Sequence, residues 1–102
     1  MANLSQTTLV EANLVATTLS GTKLSGVNLT RANLSGLDLS GKELDGTILV
    51  QANLSDTNLS GLDLSNKDLT ETNLSGAYLV ETDLRGADLT GSNLTRIILV
   101  RT

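Results

Sequence analysis

The 102-residue chain contains no cysteine, histidine, proline, tryptophan or phenylalanine, and Tyr78 is its single aromatic residue. Each absence removes a class of chemistry. Without cysteine there are no disulfides, thiol nucleophiles or cysteine metal sites, and the redox compartment is left open. Without histidine the many serines and threonines lack the usual base, so a hydrolase would have to rest on Ser-Lys pairs. No run approaches the ~18 apolar residues of a membrane span. The opening Met1-Ala2-Asn3-Leu4 has neither the basic nor the apolar segment of a secretory leader. A cytoplasmic protein with no membrane partner is therefore expected. A formal charge of −4, with no basic stripe, argues against nucleic-acid binding.

What the chain does have is a ladder of leucines, each five residues from the next: Leu4, Leu9, Leu14, Leu19, Leu24, Leu29, Leu34, Leu39, Leu44, Leu49, Leu54, Leu59, Leu64, Leu69, Leu74, Leu79, Leu84, Leu89, Leu94 and Leu99. In an α-helix a step of five rotates a side chain by roughly 140°, which smears the leucines around the cylinder. In a flat strand an odd step throws successive leucines onto opposite faces. Both objections vanish if the chain bends once per five residues and winds round a common interior. The period therefore predicts a solenoid, with every ladder leucine from Leu9 to Leu94 buried.

Taking each leucine as the origin, the residue two before it lies on the leucine's side and is often small, as at Ala2, Ala12, Ala32, Ala52, Ala77 and Ala87, or is threonine. The residue just before the leucine is mostly Asn or Asp and the one just after mostly Ser or Thr; pleating turns both outward. All nine glycines, Gly21 through Gly91, fall two after a leucine, where a corner wants a residue free to take positive φ. The period never slips, so a single domain spans residues 1–102.

Units such as Ala12-Asn13-Leu14-Val15, Ala32-Asn33-Leu34-Ser35-Gly36 and Ala87-Asp88-Leu89-Thr90-Gly91 resemble the A(D/N)LXX motif of pentapeptide repeat proteins, and the resemblance runs through the whole chain. It implies an all-β fold, a right-handed quadrilateral parallel β-helix of about five coils with twenty residues in each. It also implies a non-enzymatic scaffold that binds a protein partner. The Leu-centred units are similar to those of shorter family members, many of them cyanobacterial and mostly of unknown role. Some family members mimic duplex DNA and bind type II topoisomerases such as gyrase, protecting them from quinolones, which supplies an alternative function. Magnitude weighs against it: coils rising ~4.8 Å each give about 24 Å, over which B-DNA carries roughly 14 charges, against −4 here. The topoisomerase-binding relatives also favour phenylalanine at many central positions.

Three sets of residues depart from the pattern. Lys42 and Lys67 sit in two related stretches 25 residues apart, at the inward position that elsewhere prefers Ala or Thr. A four-carbon stem can carry an ammonium to water from a corner, so both nitrogens are expected to be solvated, with local backbone geometry unlike the other repeats. Glu43, Asp63 and Asp83 form one outward acidic column, and Asp68 with Asp88 begins another. Local turn donors account for these better than a metal or a cationic partner does. Near the C-terminal end Tyr78, Val80, Ile98 and Val100 make apolar what is polar elsewhere, the pattern of a surface that meets a second copy in a homodimer. An interior filled by Leu and Ala leaves no dry cavity, so no catalytic, cofactor or metal site is expected.

Overall fold

The computed structural model describes residues 4, 7–15, 19 and 22–100; Ala2 and Gly21 lie outside them. The chain turns a corner once in every five residues, because each described residue two after a ladder leucine has positive φ. Glycine holds eight of these corners, from Gly26 (φ 73°) to Gly91 (φ 71°). Eight more are held by other residues in the left-handed region, among them Arg31 (φ 59°), Gln51 (φ 61°) and Glu81 (φ 56°). The corner is imposed by the winding of the chain, and residues with a Cβ accept its cost there.

Four sides close one coil, and the residue before each leucine then meets its counterpart twenty residues on. The parallel pairs Asn33 with Asn53, Asn53 with Asn73 and Asn73 with Asn93 show the register. The sides stack into four walls, named here by their central leucines: wall 1 (Leu24, Leu44, Leu64), wall 2 (Leu29, Leu49, Leu69), wall 3 (Leu34, Leu54, Leu74) and wall 4 (Leu39, Leu59, Leu79). Each rung has two bonds. The Leu54 N–H donates to Asn73 O (2.7 Å), and the Asn73 N–H donates to Ala52 O (3.0 Å).

Leucine fills the interior: Leu24 to Leu79 on the ladder are all buried, with Val27, Ala32, Ala52 and Ala77 in the second inward column. Threonine is tolerated there because its hydroxyl finds a carbonyl, as Thr57 Oγ1 does on Leu54 O (2.6 Å) and Thr82 Oγ1 on Leu59 O (2.8 Å). Buried hydroxyls so paired cost little. The expectation of burial fails toward both ends. Leu9, Leu14, Leu19, Leu84 and Leu89 are half-buried and Leu94 is 37% exposed, since these sides have a covering coil on one side only.

Candidate functional site

The outward Asn and Asp residues build the walls' surface locally. On wall 3 the Oδ1 atoms of Asn33, Asn53 and Asn73 accept the N–H groups of Ser35, Ser55 and Ser75 at 3.0–3.1 Å. The acids behave alike: Asp63 takes Ser65 N (3.0 Å) and Oγ (2.6 Å), Asp68 takes Thr70 N (3.0 Å) and Oγ1 (2.7 Å), and Asp88 takes Thr90 N (3.0 Å) and Oγ1 (2.6 Å). Such bonds favour the ionised carboxylate, and they hold Asp63 and Asp88 below the usual carboxylate range. Asp83 goes furthest, to about 2, because Arg85 donates to it from its backbone N–H and with both Nε (3.0 Å) and Nη2 (2.8 Å). Asp63 and Asp83 are stacked partners on wall 1, whereas Glu43 joins no pair among the described residues. The side chains of Asp63, Asp68, Asp83 and Asp88 are occupied by turns, and no group of acids among the described residues is arranged to hold a metal ion.

The two lysines disturb the walls. The Lys67 ammonium turns inward and donates to Leu44 O (2.8 Å) and Thr47 O (3.1 Å), while Lys42 Nζ donates to Leu19 O. Expected in water, both are half-buried and bonded to carbonyls of the preceding coil. The stem is long enough to reach those oxygens, and carbonyls compensate a desolvated ammonium in part. No carboxylate pairs with either lysine among the described residues. Burial pushes the Lys67 amine below its ordinary value, against the opposing pull of Asp45 and Asp63.

Around these lysines the ladder lapses. Among the described residues, the N–H groups of Gly41, Leu44, Gly46 and Leu49 do not reach the carbonyls nineteen residues on, and those of Asp63 and Asp68 do not reach the ones twenty-one residues back. Thr47 O, which would take the Asp68 N–H in the common register, takes Lys67 Nζ instead. The parallel pairs of Glu43 with Asp63 and of Ile48 with Asp68 are correspondingly absent. A groove of about 390 Å³ opens along this seam, lined by Leu44, Asp45, Gly46, Thr47, Asp63, Ser65, Asn66, Lys67 and Asp68.

Sequence reasoning missed a corner chain as well. Arg31 Nε donates to Glu11 Oε2 (3.2 Å), Arg31 Nη1 to Gln51 Oε1 (3.5 Å), and Gln51 Nε2 to Glu71 Oε1 (2.8 Å). Aligning corner residues at intervals of twenty would have shown these complementary types in file. On wall 4 Tyr78 stacks directly beneath Ile98; Tyr78 (48%), Ile98 (38%) and Val100 (47%) are exposed, while Val80 is half-buried.

A parallel β-solenoid with five-residue sides, small or leucine inside and Asn or Asp at the turns, defines a class of repeat protein. The chain belongs to the pentapeptide repeat family: the model described as "Pentapeptide repeats" matches eight copies, over residues 2–36, 28–66, 38–76 and 68–102. Structures in this family are right-handed quadrilateral β-helices, and its members are generally non-enzymatic repeat proteins. The chain is similar to a solved pentapeptide repeat protein from the Arabidopsis thaliana thylakoid lumen, at 26% identity and TM-score 0.64, over 89% of this chain and 60% of that one. It thus spans about three fifths of that relative's length. It also matches Rfr23, a pentapeptide repeat protein from the cyanobacterium Cyanothece (25% identity, TM-score 0.39, 97% of this chain and 88% of that one). A third match is HetL of Nostoc, described as involved in heterocyst differentiation regulation (29% identity, TM-score 0.25, 95% of this chain and 57% of that one). No curated protein matches the sequence.

Proposed function

We propose that the chain is a non-catalytic binding module of about five coils that self-associates through wall 4 and offers its remaining walls to a protein partner. The observation that carries this reading is the exposed apolar column of Tyr78 and Ile98 with Val100 beside it, on a wall whose preceding members, Asp38 and Asn58, are polar. A two-fold arrangement lays the same column of each copy against the other, burying the sole aromatic ring at the centre. Rigid walls suit such docking because outward side chains are already tied to their own turns and have little entropy to lose. Sedimentation over a wide concentration range tests it. The expected result is a concentration-dependent dimer that Tyr78→Ser with Ile98→Asn abolishes; a strict monomer, or a dimer indifferent to that double variant, overturns it. A DNA supercoiling assay addresses the remaining alternative, since inhibition of gyrase would assign the chain to the DNA mimics instead.

A further inference from the structure

Three features at the seam converge on one side chain. Lys67 is half-buried yet lines a groove of about 390 Å³, which is ample room for an acyl group. It is held by two carbonyl oxygens and by no carboxylate among the described residues, so no ion pair locks it in the charged form. The rung that its ammonium displaces is one that a neutral, shorter-handed donor would give back. We infer that Lys67 is an acylation site, its amine accepting the acyl group of a thioester or acyl phosphate and the product amide allowing the seam to close.

The step balances simply. Lys67 gives one proton to solvent to become the free amine, and its nitrogen lone pair forms the new N–C bond. The C–S or C–O bond breaks as the thiolate or phosphate leaves with its electron pair, and the nitrogen gives up a second proton to that leaving group or to solvent. The product amide is neutral, so the desolvation cost of holding a charge between coils disappears. Its single N–H can serve Leu44 O or Thr47 O but not both. In the closed seam it serves Leu44 O, whose second lone pair takes the Thr47 N–H (3.1 Å). Thr47 O is then open to the Asp68 N–H, the bond that Asp88 N–H makes one coil later on Lys67 O (3.0 Å). Depressed basicity of Lys67 through burial acts in the same direction, by enlarging the share of nucleophilic free amine at neutral pH. Asp45, Asp63 and Asp68 line the same groove, and their negative charge disfavours anionic acyl groups such as succinyl relative to acetyl.

The probe is acetyl phosphate at limiting concentration and neutral pH on the intact protein, read by peptide mass spectrometry. Lys23, exposed on wall 1, is the internal reference. Lys67 is expected to acetylate faster than Lys23, since a lowered amine basicity enlarges the share of nucleophilic free amine at neutral pH. Equal or slower labelling of Lys67 overturns the inference. Hydrogen exchange on the acetylated protein supplies the second measurement: the Asp68 amide is expected to exchange more slowly than before modification. Unchanged or faster exchange at Asp68 removes the closing role.

Discussion

Wall 3 and the lysine seam are made by the same repeat and differ in one inward position. On wall 3 the pairs run unbroken from Asn13 to Asn93, and the inward residues are small, such as Ala32, Ala52 and Thr72. At the seam that position is lysine, and the rungs between the Leu44–Leu49 sides and the Leu64–Leu69 sides are lost. Small inward side chains let adjacent coils approach to rung distance; one long cationic side chain claims the carbonyl that a rung needs. Stability in such a solenoid is a sum over neighbour interfaces, so the difference is local and does not unravel the winding.

The regular wall should show the largest loss. Leu54→Ala, at a fully buried position, is expected to cost about 2–5 kcal/mol in chemical denaturation. Leu94→Ala, on the same wall but 37% exposed, should cost well under half as much. Equal losses would mean that the coils share their stability evenly after all. From the irregular side, Lys67→Thr places at the seam a residue that elsewhere bonds a buried carbonyl, as Thr47 Oγ1 does on Leu24 O (2.7 Å). It is expected to stabilise by about 1–2 kcal/mol and to slow hydrogen exchange at Asp68 and Leu49. Corners give a smaller effect. Glu81→Gly relieves a left-handed residue (φ 56°) and should stabilise by about 1 kcal/mol. Gly86→Ala should destabilise by more than Gly36→Ala, because its Cβ meets Asn66 Oδ1 while that at Gly36 meets nothing within 4 Å.

The smallest effect concerns pH. Asp83 is depressed to about 2 in the fold, below its unfolded value near ~3.9. Its contribution is therefore fully present above about pH 4 and is lost as pH falls toward 2. Arg85→Ala should shrink that acid-sensitive contribution, seen as a flatter loss of melting temperature across the window; an unchanged slope would assign acid sensitivity to other carboxylates.

Much of this architecture was legible because an odd period of five admits only a winding chain, and Leu24 to Leu79 lie where it places them. The turn role of Asp63, Asp68 and Asp88 was equally legible, since their partners are two residues away. The fate of Lys67 was not, because its acceptors are 20 and 23 residues back. Solvation from a corner and capture by those carbonyls look identical in one dimension. The exposure of Leu94 escaped for a related reason: the ladder marks which way a leucine points, while burial also requires a coil above it.

The corner chain of Glu11, Arg31, Gln51 and Glu71 keeps count of turns in a way that the leucines cannot. Removing five residues between Arg31 and Gln51 would leave every leucine facing inward, yet it would rotate all that follows by a quarter turn. Gln51 would leave the file that holds Arg31, and the Tyr78 column would move to a neighbouring wall. Inserting twenty there instead would preserve both. Length changes in such a gene are therefore silent to the interior in units of five, but silent to the surface only in units of twenty.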